Sequence, residues 1–395
     1  MLHRILVKNL FGLYTYELGP LFDEDTRIRF ITGPNGYGKS TILSMLSHLM
    51  RCELSYFKSL SFDELRFYFD DKLVILHKAD EQDLRVGVDA SKGRNDKERE
   101  VFIRLKDLNT NSQIALLSLS SVEEDSMDKA EIEMFLNGES HYYIKDQRLL
   151  KDDTWSVKGE MISPSSNAVN QNASLLKSMM QDCKSRVSSY ISIQNLFMNN
   201  TPSSNKEYYE KRKLKLTPIL DKLKLYGLVD ESFNLPVYQK EATSIIWSFL
   251  NMVETAVLYA RPLLQKIDTF KEVIERSDFA DKELQISPEF GYRFISNNQD
   301  RTLLDGSDLS SGEQHILIQT YELIFNAPEG SLALIDEPEM SFHMIWQMDY
   351  LKNLAKIAKI NSLQCLVATH SPQIFDSMWD LTFDLYDIMH PRTEE

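Results

Sequence analysis

No apolar run in the 395 residues approaches the ~20 needed to cross a bilayer, so a membrane protein is not expected. The opening residues, Met1-Leu2-His3-Arg4-Ile5-Leu6-Val7, run straight into a strand-like pattern and lack the apolar stretch and cleavage site of a secretory leader. Cysteine is scarce. Cys52, Cys183 and Cys365 show no CxxC or CxxH spacing, which argues against a zinc site or disulfide framework and fits a reducing, cytoplasmic compartment. An excess of positive charge is missing too: 44 basic against 59 acidic side chains leave a net charge of −15. A duplex-binding protein draws much of its affinity from phosphate neutralisation, so this balance leans away from DNA and toward protein partners and nucleotide. No internal repeat is visible, and no heptad run persists long enough for an extended coiled coil.

What is present is an ordinary globular composition, 43% hydrophobic and 26% charged, in a chain long enough for two or three domains. Residues 1–32 alternate in period two and end in the strand Arg27-Ile28-Arg29-Phe30-Ile31. A glycine-rich loop follows, and residues 40–50 then place apolar side chains at helical spacing. Strand-like runs at 65–69, 73–77, 84–88, 101–105 and 114–119, separated by turn chemistry, predict an antiparallel sheet beside this core. Residues 121–139 carry seven acidic side chains against one lysine and read as a solvated helix and loop. The Ser- and Asn-rich stretch 155–172 reads as a loop or insertion. Residues 205–283 are helical in pattern, with Pro262 expected to kink or break the helix. Strand character returns at 284–286 and 292–295.

The chemistry concentrates in Gly33-Pro34-Asn35-Gly36-Tyr37-Gly38-Lys39-Ser40, which matches GxxxxGK[ST] in the strand–loop–helix setting that a phosphate loop requires. Its glycines let the backbone wrap phosphates, and the following helix presents its positive end. Lys39 would reach the β- and γ-phosphates, Ser40 would ligate Mg²⁺ and Thr41 would contact the α-phosphate. Far downstream, the apolar strand Ser331-Leu332-Ala333-Leu334-Ile335 ends in Asp336-Glu337. In that position Asp336 would hold Mg²⁺ through water, and Glu337 would polarise the attacking water.

Between the two lies Leu309-Ser310-Ser311-Gly312-Glu313-Gln314, ahead of a helical run, and it resembles the LSGGQ signature of ATP-binding-cassette (ABC) ATPases. Ser311 stands where that motif has glycine, and Glu313 takes its usual Gln position. The resemblance implies that Ser310, Ser311, Gly312 and Glu313 of one head cap the γ-phosphate held by the phosphate loop of another. ATP would then join head to head in a shared site. Cys365-Leu366-Val367-Ala368-Thr369-His370 is similar to the strand that delivers the switch histidine to the γ-phosphate. Pro338-Glu339-Met340-Ser341-Phe342-His343 resembles the D-loop, with His343 where transporters carry Asp. Tyr190-Ile191-Ser192-Ile193-Gln194 reads as a strand delivering Gln194 to Mg²⁺ and water, as a Q-loop does. Tyr14 and Phe11 are candidates for stacking on adenine.

The run from Asp336 to Gln347, followed by Ala368-Thr369-His370-Ser371-Pro372, is similar to the OLD-like and RecF/SMC-related branch of these ATPases. The fold implied is α/β: a P-loop NTPase of ABC type with a mixed central sheet, a flanking antiparallel sheet and a helical arm. The boundaries expected are 1–200 for the first ATPase lobe, 201–283 for the arm and 284–395 for the second lobe. Only 25 residues follow His370, too few for the TOPRIM nuclease domain that OLD nucleases append, so the effector is expected to be encoded separately. Stand-alone ATPases of this kind resemble the ATPase subunits of two-gene anti-phage defence systems, PARIS first and Septu next. That resemblance implies ATP and Mg²⁺ as cofactors. It also implies a homo-oligomer of head-to-head ATP-sandwich dimers, as large as a hexamer, a phage protein as trigger and a separate effector nuclease as partner. The alternative is a RecF- or SMC-like ATPase clamping DNA. Its support is Lys206, Lys211, Arg212, Lys213 and Lys215 interleaved with Tyr208 and Tyr209. A transporter cassette is the weaker third reading.

Overall fold

The computed structural model describes residues 1–23, 25–79, 100–119, 127–136, 139–144, 156–157, 160–161, 164–192, 206–277, 279 and 281–391. By compactness the chain falls into two units. One unit holds Met1–Arg148 with Asn326–Glu395, and the other holds Leu149–Phe325. Among the described residues no helix is long and apolar enough to cross a membrane.

The first unit carries two sheets, one antiparallel and one parallel. Strands β1 (Leu2–Leu10), β2 (Tyr14–Leu18), β4 (Glu64–Phe69), β5 (Lys72–Ala79), β6 (Glu100–Asp107) and β7 (Ser112–Ser118) form an antiparallel sheet in the order β2-β1-β4-β5-β6-β7. Alternation drives it: Ile5 and Val7 of β1 and Leu65 and Phe67 of β4 are buried, while Arg4 and Glu64 point outward or lie partly covered. The run at 84–88 lies outside the described residues.

Strands β3 (Ile28–Thr32), β8 (His141–Ile144), β14 (Leu332–Asp336), β15 (Gln364–Ala368) and β16 (Thr382–Asp384) form the second sheet, wholly parallel, in the order β16-β3-β15-β14-β8. Every residue of β14 is buried, as expected of an inner parallel strand covered on both faces. The unit's helices are α1 (Lys39–Met50), α2 (Ser55–Ser59), α3 (Met127–Leu136), α8 (Met344–Ile360) and α9 (Leu385–Met389). Helix α1 sinks Ile42, Leu43, Met45, Leu46 and Leu49 into a core shared by both sheets, with Ile5, Phe67, Leu334 and Leu366. The phosphate loop is thereby fixed at the carboxyl edge of the parallel sheet, where open α/β sheets bind ligands.

The second unit is mostly helical. It holds α4 (Pro164–Tyr190), α5 (Lys206–Leu225), α6 (Thr243–Arg276), α7 (Ser311–Tyr321), the short pair β9 (Ser156–Val157) and β10 (Glu160–Met161), and a three-stranded sheet. That sheet is β11 (Lys282–Ser287), β12 (Gly291–Ser296) and β13 (Leu303–Leu304). Two expectations are corrected here. The polar stretch to 172 is helical from Pro164, because Ala168, Val169, Leu176, Met180, Cys183 and Val187 make one buried stripe along α4. The described part of the expected strand at 190–194 belongs to a helix end instead: Tyr190 ends α4, and the Ile191 N–H still donates to the Val187 carbonyl at 3.1 Å. Gln194 itself lies outside the described residues.

Pro262 does not break α6, which runs through it from Thr243 to Arg276. The carbonyl it deprives of a donor belongs to Leu258, whose side chain is 63% exposed, so water can take that partner's place.

Candidate functional site

Three parallel strands end side by side, and each delivers part of the site. From β3 the chain enters Gly33-Pro34-Asn35-Gly36-Tyr37-Gly38 and then α1. Gly38 caps α1 at φ 87, a left-handed conformation, and a Cβ there would lie 3.0 Å from Leu10 Cδ2. Both facts call for glycine. No side chain caps α1, so the first-turn N–H groups of Lys39, Ser40 and Thr41 face outward without an intrahelical partner.

Lys39 is buried, and its ammonium folds back on the loop. It donates to the carbonyls of Gly33 at 2.8 Å and Pro34 at 3.1 Å, and it lies 3.2 Å from Nδ1 of His370. Burial pulls its pKa below the ordinary lysine value, against the opposing pull of the Glu337, Asp336, Glu339 and Asp384 carboxylates. Ser40 donates its hydroxyl to Asp336 Oδ1 at 2.9 Å, across from the end of β14, and the Tyr143 hydroxyl reaches Asp336 Oδ2 at 3.5 Å. Hydroxyl and carboxylate oxygens in this pairing are the hard donors that Mg²⁺ prefers.

One residue on, Glu337 sits at φ 44, a left-handed conformation that costs a non-glycine residue about 1 kcal/mol or more. Its N–H donates to the Ala368 carbonyl at 2.9 Å, and its own carbonyl accepts from the Met340 N–H at 3.1 Å. The turn so held leaves its carboxylate 3.3 Å from His370 Nε2. With the Lys39 ammonium donating to Nδ1, the tautomer carrying its proton on Nε2 satisfies both contacts of His370.

Two residues with no assigned role at the level of sequence also belong to this cluster. Tyr143, on β8, was hidden because β8 is short and 190 residues from its neighbour β14 in the chain. Glu339 was visible only as part of the D-loop segment. Its Oε1 accepts from the Thr369 hydroxyl at 2.6 Å, the His370 N–H at 2.8 Å and the Ser371 N–H at 3.2 Å. His343 instead caps α8, accepting at Nδ1 from the Ile345 N–H at 3.5 Å.

Around the loop lies an aromatic set. The Tyr16 hydroxyl donates to the Tyr37 carbonyl at 2.8 Å, and the Tyr37 ring stands 5.1 Å from Tyr14 and 6.0 Å from Tyr386 of α9. Phe11 is 43% exposed beside the loop, its ring edge 3.7 Å from where a Cβ on Gly38 would stand. A cleft of about 410 Å³ opens beside Gly33, Pro34 and His370 and is lined as well by Trp379 and Tyr386.

The structure therefore brings Lys39, Ser40, Asp336, Glu337 and His370 together from segments hundreds of residues apart. Ser310, Ser311, Gly312 and Glu313 belong to the second unit. There Ser310 is the N-cap of α7: its hydroxyl accepts from the Glu313 N–H at 3.3 Å, and the Glu313 carboxylate accepts from the Ser310 N–H at 2.7 Å. This reciprocal capping box explains why Glu serves where the signature pattern has Gln. Glu313 is also buried against Lys282 at 2.7 Å, so its charge is compensated within the unit.

The family model for the AAA ATPase domain matches residues 1–375. No curated protein matches the chain. Among solved structures, the Smc head domain of Pyrococcus furiosus with an extended coiled coil, bound to the C-terminal domain of ScpA, shares 13% identity. It has a TM-score of 0.38, with 94% of this chain and 90% of that chain covered. An SmcHead bound to the C-winged helix domain of ScpA shares 13% identity at a TM-score of 0.35, with 95% and 91% covered. The architecture, with its parallel sheet, flanking antiparallel sheet and helices, is that of a P-loop ATPase of ABC type. With the match running through 375 of its 395 residues, the chain belongs to the AAA ATPase domain family.

Proposed function

We propose that this protein binds ATP at the β3–α1 loop, hydrolyses it with Glu337, and uses the ATP-bound state to join two copies head to head. The observation that carries the reading is the meeting of Lys39, Ser40, Asp336, Glu337 and His370 at one sheet edge. Gly33, Pro34, Asn35, Gly36, Tyr37 and Gly38 line the phosphate chain, with Lys39 and the first N–H groups of α1 supplying positive charge. Phe11, the more exposed of the two candidate rings, offers a face to adenine. Ser40 and Asp336 would hold Mg²⁺, which neutralises charge building on the phosphates. Glu337 accepts a proton from water as the water's oxygen bonds to the γ-phosphorus, and ADP leaves. His370 then holds the γ-phosphate position against the loop. Gln194 is proposed as a further Mg²⁺ and water contact.

Assembly follows from the signature segment. Ser310 and the first turn of α7 would grip the γ-phosphate of a partner's ATP, so hydrolysis loosens the joint. Met344 and Ile345, each 61% exposed beside the D-loop segment, support a face made for a partner. The role we propose for this switch is control of a separately encoded effector nuclease in anti-phage defence, of the PARIS kind, with a phage protein as trigger. The DNA-clamping alternative is less favoured. Within its basic run Arg212 is bound to Glu254 and lies 4.9 Å from the Trp247 ring, and Lys211 pairs with Glu207.

Removing the ammonium tests the site. Lys39→Ala should weaken ATP binding about 100-fold, the scale of losing a charge-assisted phosphate contact in a covered site. Titration calorimetry giving an unchanged Kd would overturn the assignment of the loop. Ser310→Arg should leave ATP binding intact yet abolish ATP-dependent assembly. An ATP-driven shift in sedimentation like that of the parent protein would refute the shared site.

A further inference from the structure

We propose that Glu339 is a positioning residue for ATP hydrolysis, fixing the turn that sets His370 between Lys39 and Glu337. This rests on the reading of Lys39, Glu337 and His370 as the hydrolytic site. A single carboxylate oxygen of Glu339 collects three donors from three successive residues: the Thr369 hydroxyl and the His370 and Ser371 N–H groups. Such a nest closes the chain around one anion and leaves little freedom at the residue in its middle. That residue is His370, and its ring bridges Lys39 Nζ at 3.2 Å and Glu337 Oε1 at 3.3 Å. The same turn is pinned from α8, where the Ser371 hydroxyl lies 2.6 Å from Gln347 Oε1.

The other Glu339 oxygen is enclosed and has no hydrogen-bond partner among the described residues. Retaining an enclosed, unpaired carboxylate oxygen is unfavourable to stability, so a purely structural turn would be better served by a smaller acceptor. Glu339 lies two residues beyond Glu337 on a turn closed by the Phe342 N–H donating to the Glu339 carbonyl at 2.8 Å. Water-polarising group and switch histidine are thus referenced to one short segment. A shift of that segment moves both together.

The test is a two-by-two set with Glu339→Ala and His370→Ala, read by steady-state ATP hydrolysis and by amide exchange. Glu339→Ala should lower kcat about tenfold or more while KM for ATP moves less than about twofold, since the phosphate loop is untouched. In the His370→Ala background the same change should cost less than about twofold, because the residue it positions is gone. Glu339→Gln keeps an oxygen for the three donors and should recover most of the lost kcat. Independently of turnover, amides of 369–371 should exchange about tenfold faster in Glu339→Ala, while those of β14 and β15 stay as in the parent. Losses that multiply across the two sites overturn the proposal. So does unchanged exchange at 369–371, or exchange raised throughout β14 and β15. If the parent protein hydrolyses no ATP, the hydrolytic reading fails and the exchange data alone decide whether Glu339 holds the turn.

Discussion

Glu337→Gln should lower ATP turnover by about 10²–10³-fold and leave ATP binding within about twofold of the parent. The amide has the shape of the carboxylate and retains an oxygen for His370 Nε2, which stands 3.3 Å from Glu337 Oε1. The turn is held by backbone bonds at the Glu337 N–H and carbonyl, and these do not depend on the side chain. What the amide cannot do is accept the proton of the attacking water. The variant should therefore stop after binding, and joined heads should accumulate with ATP. Single-turnover phosphate release and mass photometry measure the two consequences. Turnover at the parent rate would remove Glu337 from its role, and slow turnover without accumulated assemblies would remove the link between ATP and joining.

The largest stability effect is expected in the second unit, at Gly291. A Cβ there would stand 1.8 Å from the carbonyl oxygen of Ala173, 2.8 Å from its carbon and 2.9 Å from the Lys177 nitrogen. All three atoms are backbone of α4, so no side-chain rotation relieves the overlap. Gly291 also sits at φ 78, which adds a left-handed penalty of about 1 kcal/mol for alanine. Relief requires α4 to withdraw from β12, breaking the buried bond from the Tyr292 hydroxyl to the Val169 carbonyl at 2.7 Å. Gly291→Ala should therefore cost about 4 kcal/mol or more. Gly330 is the control: it has φ 75 but nothing within 4 Å of its Cβ position. Gly330→Ala should cost only about 1 kcal/mol. Urea unfolding of both variants decides the matter, and equal midpoints would show that α4 yields freely.

The parts of the site readable from sequence are those whose chemistry is local. The phosphate loop, the strand that ends in Asp336-Glu337 and the strand before His370 each carry their meaning within about ten residues, because glycine conformation, strand burial and helix start are short-range properties. The capping box at Ser310 and Glu313 is equally local. Glu339 and Tyr143 escaped because their roles exist only after β14 has paired with β15 and β8. Helix α4 escaped for a different reason. Its solvent side is dense in Ser, Asn and Gln, which resembles a loop, while the buried stripe through Leu176, Met180, Cys183 and Val187 was present but outweighed. Pro262 was expected to kink or break the helix, and no break occurs: α6 runs through it, with Leu258, four residues earlier, exposed to water. Gln194 falls outside the described residues, and its place in the site remains an expectation of resemblance.

The parallel sheet carries a consequence for how the protein is made. Strand β3 and the phosphate loop are made long before their sheet partners: among the described residues, every parallel neighbour of β3 lies beyond residue 363 of the chain. Ser40 waits for Asp336, which lies 296 positions further along the chain. At bacterial or eukaryotic elongation speeds of about 5–20 residues per second, that is roughly 15 to 60 seconds with β3 unpaired. Throughout that interval the nascent chain owns a phosphate-loop sequence but no acidic partner for a metal, no switch histidine and no sheet to fix the loop. The parallel sheet around the phosphate loop is thus completed only once residues 364–384 have been made.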